Sequence, residues 1–201
     1  MLEKRFSQSC ENNKDPILTE LKKYFSDKKH VLEIGSGTGQ HSVYFAKALA
    51  HLVWQTSDAS ENHPSILAYG KEAGLANWRE PKPFFVGQDP WPQADTSYDA
   101  VFSANTAHIM QPDEVQEMFR LIVEKLPAGG VFCEYGPFKF EGKFTSDSNE
   151  AFDARLRDQG YGGYRDIEQL QAWGKTQAGE LSLIDVIALP ANNHLLVWQK
   201  Q

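Results

Sequence analysis

A basic excess is the first thing missing. The 201 residues include 20 Lys and Arg against 27 Asp and Glu, for a net charge of −7. With that balance a chain gains no counterion-release affinity for nucleic acid unless its cations cluster. Only the pairs Lys22-Lys23 and Lys28-Lys29 occur, which read as solvated helix charges. Nucleic acid is therefore not an expected partner. Long apolar runs are missing too, none approaching the roughly 18 residues a spanning helix needs, so no membrane partner is expected. The opening Met1-Leu2-Glu3-Lys4-Arg5 is charged where a secretory signal would be apolar. Cysteine is scarce. Cys10 and Cys133 have neither metal-ligand spacing nor a disulfide framework. Free thiols, a cytoplasmic setting and no bound metal are expected. There is no internal repeat or low-complexity linker, and the length suits a single domain over 1–201.

What is present is an alternation of strands and helices. Asp15 followed by Pro16 predicts a capped first helix with Ile17, Leu21, Tyr24 and Phe25 on one face. A strand over 30–34 runs into a glycine turn and a helix from about Gln40 to Ala50. His51 to Ser57 predicts a second strand ending at Asp58, and Pro64 opens a helix stopped by Gly74. Lys82 to Gly87 reads as a third strand, Tyr98 to Ala104 as a fourth. Pro112 opens a long helix, and Val131 to Tyr135 is a fifth strand. Such alternation predicts parallel pairing in a doubly wound α/β sheet.

After Gly136 the rhythm changes. A segment over about 136–166 reads as loop plus one helix without strands, an insertion suited to capping a substrate. Asp166-Ile-Glu-Gln169 has capping-box form and starts a last helix. Two apolar runs, LIDVIAL and HLLVWQ, are then separated only by Pro190 to Asn193. So short a link forces an antiparallel hairpin.

The glycine turn carries the chemistry. Gly35, Gly37 and Gly39 follow a strand and precede a helix, with Gln40 where a dinucleotide fingerprint has its third glycine. Glu33 puts a carboxylate beside the loop, where a pyrophosphate site would rarely want one. Asp58 ends the second strand at the distance of an acid that grips ribose hydroxyls. Asp89 follows the third strand, placed to accept a hydrogen bond from an exocyclic amine. Singly, each acid reads as a solvated loop end. Together they converge on the crevice where such sheets bind ligands.

Glu33-Ile34-Gly35-Ser36-Gly37-Thr38-Gly39 resembles the first motif of the class I S-adenosylmethionine-dependent methyltransferases. Asp58 resembles their ribose acid, Asp89 their adenine-contacting acid, and the terminal hairpin their reversed seventh strand. Outside this core, Asn12-Asn13-Lys14-Asp15-Pro16-Ile17-Leu18 and Ser148-Asn149-Glu150-Ala151-Phe152-Asp153 resemble a family of short, uncharacterised methyltransferase-like proteins. The resemblance implies a seven-stranded Rossmann-like sheet, mostly parallel with a C-terminal antiparallel hairpin. It implies S-adenosylmethionine as cofactor, held by Glu33, Gly35, Ser36, Gly37, Gly39, Asp58, Asp89 and Asn105.

The acceptor side follows from what lies outside the shared core. Asn105, just past the fourth strand, is expected to orient an acceptor or contact the cofactor; a turn-forming asparagine is the plain alternative. His108 is the best general-base candidate, because an imidazole titrates near neutrality. Asn12, Asn13, Tyr135, Asn149, Arg157 and Arg165 are expected around the acceptor, with Glu134 beside Tyr135. Two arginines and several amides suit a small, acidic or polyoxygenated molecule. Phe138, Phe140, Phe144, Phe152 and Trp91 read as packing aromatics. The leading expectation is a methyltransferase acting on a small polar molecule. The alternatives are a non-catalytic cofactor-binding module and, less favoured, an NAD(P)-dependent oxidoreductase. The oligomeric state is not specified by these residues.

Overall fold

The computed structural model describes residues 4–201, so the first three residues of the charged opening lie outside it. The chain forms two compact units, one reaching Ser103 and the other starting at Ala104. Among the described residues no helix is long and apolar enough to cross a membrane.

The first unit opens with α1 (Gln8–Tyr24). It starts well before Pro16, which lies inside the helix rather than at its first position. Ser7 is the true N-cap, its Oγ accepting the Cys10 amide at 3.4 Å. An interior proline removes one helical hydrogen bond and costs about 3 kcal/mol. Burial of Ile17, Leu18, Leu21 and Phe25 offsets this, since each such side chain is worth about 1.5–3 kcal/mol.

There follow β1 (His30–Ile34), α2 (Gln40–Ala48), β2 (Val53–Asp58), α3 (His63–Ala73), β3 (Trp78–Pro83) and β4 (Ala100–Ala104). Their order is β3-β2-β1-β4, and β1 pairs in parallel with both β2 and β4. The third strand lies earlier than the expected 82–87. Among the described residues it pairs only with β2, and an edge position tolerates Pro81 and Pro83, which cannot donate to a ladder. Phe45, Trp54 and Phe102 pack ring against ring at 5.3–5.9 Å and are fully buried. This cluster fixes α2, and with it the glycine turn, against the strands.

The second unit contains α4 (Pro112–Lys125), β5 (Val131–Gly136), β6 (Phe138–Lys139), α5 (Asp147–Asp158), β7 (Arg165–Asp166) and α6 (Ile167–Trp173). It ends with β8 (Lys175–Thr176), β9 (Gly179–Leu189) and β10 (Asn193–Lys200). Strand order is β5-β10-β9-β8, and β10 is antiparallel to both β5 and β9, so the expected terminal hairpin forms. Ala191 and Asn192 at its tip take left-handed φ values of 62° and 56°. The insertion is not strandless as expected, because β6 and β7 form a short parallel pair.

The fold is α/β, mostly parallel with a C-terminal antiparallel hairpin. Its two strand orders hold eight strands among the described residues, not seven. The extra one is β8, only two residues long.

Candidate functional site

In the first unit, β1 delivers Glu33 beneath the glycine turn. Its Oε2 accepts the Ser36 hydroxyl at 2.9 Å and the Trp54 indole N–H at 3.1 Å. The side chain is buried, and burial pushes its pKa up to about 7 against the lowering by those two donors; the nearby Asp58 charge adds to the rise. Glu33 is thus a buttress under the loop.

The turn itself is left-handed at Gly35, Gly37 and Gly39, with φ of 74°, 58° and 94°. The amides of Gly35 and Ser36 both donate to the Ser57 carbonyl at 3.0 Å, so β2 holds the loop open. A Cβ on Gly37 would meet only the Gly35 carbonyl oxygen, at 4.0 Å. A Cβ on Gly39 would fall 2.8 Å from Ile66 Cα on α3. Gly39 therefore serves helix packing, the task of the third glycine in a dinucleotide fingerprint, while Gly37 leaves bare backbone facing open space.

Asp58 closes this arrangement. Its Oδ2 accepts the Gly37 amide at 2.6 Å, and Oδ1 accepts the Ala59 amide and Asn62 Nδ2, both at 2.7 Å. A carboxylate offers about four lone-pair sites, so Oδ2 retains acceptor capacity for a ligand hydroxyl. Asp89 is turned to a local task. Its Oδ2 accepts the Phe85 amide at 2.7 Å, while its own amide donates to the Phe85 carbonyl at 2.9 Å.

Asn12 and Asn13 lie within α1, not on a loop before it. Asn13 is buried and its Oδ1 meets His41 Nε2 at 2.7 Å. Burial holds the His41 pKa down at about 4, so this imidazole is neutral. Asn12 Oδ1 accepts Gln8 Nε2 at 2.9 Å. Gln40 also acts here, donating to Glu11 Oε1 at 2.8 Å and accepting the Ser7 amide at 2.6 Å. These contacts latch α1 onto the start of α2. Both asparagines already have partners inside the unit, which the sequence alone did not reveal.

In the second unit, Asn105 adopts a left-handed φ of 58° and donates its amide to the Tyr135 carbonyl at 2.8 Å. Asparagine tolerates this left-handed conformation better than other non-glycine residues. Asn105 Oδ1 and His108 Nδ1 both lie 3.9 Å from where a Gly136 Cβ would stand. The two side chains named from the sequence therefore converge above β5. His108 is buried between Phe152 and Tyr164, and its carbonyl accepts the Gly163 amide at 3.0 Å. Burial, then the Arg165 charge, lower its pKa to about 4, with Asp153 opposing.

Glu134 and Tyr135 part company, because successive strand residues face opposite sides. Glu134 shares the face of Gly136 and of His194 and Leu196 on β10. It is fully buried, and neither of its oxygens has a hydrogen-bond partner among the described residues; nor do His194 Nδ1 and Trp198 Nε1. Burial pushes the Glu134 pKa up to about 8; Trp198 moderates the rise, though neither group reaches hydrogen-bond geometry. His194 gave no sequence signal, since it reads as one more residue of an apolar strand. Tyr135 lies buried on the other face.

The remaining candidates hold the insertion together. Asn149 Nδ2 ties α5 to the hairpin tip, donating to Thr145 Oγ1 at 2.9 Å and the Asn192 carbonyl at 3.2 Å. Arg157 Nε pairs with Asp153 at 2.8 Å, and Asp153 also accepts the Tyr164 amide. Arg165 is buried and donates to the carbonyls of Gly162 and Gly163. Its short range of partners sets the 162–165 turn beside His108.

The molecule is similar to solved methyltransferase structures. The S-adenosylmethionine-dependent methyltransferase SibL in its apo form superposes with a TM-score of 0.75 at 18% identity, over 96% of this chain and 55% of that one. Human N-acetylserotonin methyltransferase in complex with SAM gives 0.76 at 13% identity, over 96% and 53%. An O-methyltransferase family 2 protein from Planctomyces limnophilus, in complex with apigenin, gives 0.72 at 16% identity, over 86% and 51%. The chain spans about half the length of these proteins. Likeness at such identities establishes the fold, which is that of the class I methyltransferases. The family described as "Protein of unknown function (DUF938)" matches residues 4–200, and the chain belongs to that family.

Proposed function

We propose that this protein is an S-adenosylmethionine-dependent methyltransferase for a small polar molecule. The observation that carries the reading is Asp58, held at the end of β2 by the Gly37 amide at 2.6 Å with acceptor capacity to spare. The residues fit the cofactor. Gly37 leaves open space beside its Cα, Asp58 accepts a ribose hydroxyl, and Asp89 has Oδ1 to offer the adenine amine. Gly35, Ser36 and Gly39 shape the loop, and Glu33 supports it from below. When bound, S-adenosylmethionine supplies a methyl group already activated by its sulfonium charge.

The chain's own tasks are then to orient the acceptor, exclude water and handle a proton. Asn105 and His108 are assigned to the acceptor. With its pKa held near 4, His108 is unprotonated at neutral pH but a weak base. Its role is to accept a hydrogen bond from a hydroxyl acceptor and to receive its proton only as the methyl bond forms and that proton becomes strongly acidic. The insertion at about 136–166 forms a substrate cap, in which Phe152 and Tyr164 keep water from the His108 ring. Asn149, Arg157 and Arg165 hold the cap in place, and Tyr135 anchors Asn105 through its carbonyl. Their role is to shape the acceptor's surroundings.

Labelled-methyl transfer from S-adenosylmethionine into the small-molecule fraction of a cell extract tests this. Labelling by the wild type that Asp58→Ala strongly reduces at low S-adenosylmethionine is the expected result. Labelling of no fraction, with S-adenosylhomocysteine still bound, would instead make the protein a non-catalytic binding module.

A further inference from the structure

The segment at 4–7 is bonded to the middle of the glycine turn and to Gln40 just after it, and Arg5 connects it to the carboxylate just assigned to ribose. Arg5 Nη2 donates to the Gly37 carbonyl at 3.1 Å and to Asn62 Oδ1 at 2.7 Å. Asn62 Nδ2 donates to Asp58 Oδ1, and the Gly37 amide donates to Asp58 Oδ2. The four residues thus form a closed ring of hydrogen bonds. The segment is pinned on either side of it. The Arg5 amide donates to Ser65 Oγ at 3.0 Å, Lys4 pairs with Glu72 at 2.6 Å over the Tyr69 ring, and Ser7 is held by Gln40.

We propose that Arg5 is a cofactor-positioning residue, which sets the Asp58 carboxylate for ribose through Asn62 and Gly37. The proposal rests on the reading of Asp58 as the ribose acid. Its physical basis is the symmetry of an amide. The two ends of Asn62 are alike in shape, and only the nitrogen end can donate to a carboxylate. By occupying Oδ1, the guanidinium makes the orientation with Nδ2 on Asp58 the favoured one. The same donor nitrogen draws on the Gly37 carbonyl, so the residue whose amide meets Oδ2 and the residue that steadies Oδ1 are held by one cation. Arg5 is exposed and its contacts lie at the surface. Such contacts add little to folding stability by themselves, so the effect of Arg5 belongs to the bound state.

The experiment is a calorimetric double-mutant cycle with S-adenosylhomocysteine, using wild type, Arg5→Ala, Asp58→Ala and the double variant, with Arg5→Lys as the conservative control. Arg5→Ala is expected to weaken binding about tenfold, the scale of one lost hydrogen bond to a polar partner, with an unchanged unfolding temperature. Arg5→Lys restores most of the affinity, because one ammonium can reach both oxygens. In the double variant the Arg5 effect disappears, since there is no carboxylate left to set. If Asp58→Ala weakens binding while Arg5→Ala does not, the proposal falls and the ribose reading stands. If the Arg5 effect persists undiminished without Asp58, Arg5 acts on structure alone and the proposal is overturned. If Asp58→Ala binds as the wild type does, the ribose reading fails and takes the proposal with it.

Discussion

The Gly37 amide and the Asp58 carboxylate are joined at 2.6 Å, across two strands that lie side by side. A turn built for close approach of a ligand and an acid suited to sugar hydroxyls are therefore one hydrogen-bonded unit. The glycines of that turn are not equivalent, and their substitution separates binding from folding.

Gly39→Ala places a Cβ 2.8 Å from the α3 backbone at a left-handed φ of 94°. Overpacking and strain together are expected to destabilise the fold by about 2–5 kcal/mol. Gly37→Val meets open space and carries mainly the left-handed penalty, about 1–2 kcal/mol. It should nevertheless abolish S-adenosylhomocysteine binding, because its side chain fills the space that the ligand needs. Denaturant unfolding and calorimetry on both variants check this. Equal stability losses, or intact binding in Gly37→Val, would go against the assignment.

The buried carboxyls fix the sign of the pH dependence. A carboxyl whose folded pKa is raised holds its proton more tightly in the fold, so stability falls as pH climbs from the ordinary carboxylate range to the folded pKa. Glu33 acts up to about pH 7 and Glu134 up to about pH 8. His41 and His108, held near 4 against an ordinary 6.5, act oppositely, raising stability as pH rises through that interval. Above pH 6.5 the carboxyls act without this opposition, and the denaturant midpoint is expected to fall toward pH 8. Glu134→Gln, an uncharged near-isostere, should remove most of the fall above pH 7. A variant curve parallel to that of the wild type would contradict the assignment.

His108 offers a test of proton handling. His108→Asn is expected to slow methyl transfer to a hydroxyl acceptor by about a hundredfold, with S-adenosylhomocysteine affinity unchanged. Labelled-methyl transfer and calorimetry read the two effects separately. An unchanged rate would remove His108 from the chemistry.

Much of this was legible in the residues. The strands at 30–34, 100–104 and 131–136, the glycine turn, Gly74 as helix stop and the terminal hairpin all lie where local pattern puts them. Such features depend on neighbours in sequence. Asp15-Pro16 is a strong local start signal, yet the first helix begins at Gln8. That signal is overridden by contacts between α1 and α2, notably Asn13 with His41 and Glu11 with Gln40, which no local pattern shows. The third strand is expected over Lys82 to Gly87, but it forms at Trp78–Pro83, where an edge position makes Pro81 and Pro83 harmless. At the site, chain position sufficed to nominate Asp58, Asn105 and His108. Whether an exposed-looking polar residue is already committed, as Asn149, Arg157 and Arg165 are, depends on partners distant in sequence.

A crystal structure with S-adenosylhomocysteine tests the central claim most directly. The account predicts adenosine lying over the backbone at 35–39, with a ribose hydroxyl on Asp58 Oδ2. Adenosine bound elsewhere, or a ribose with no contact to Asp58, would contradict it.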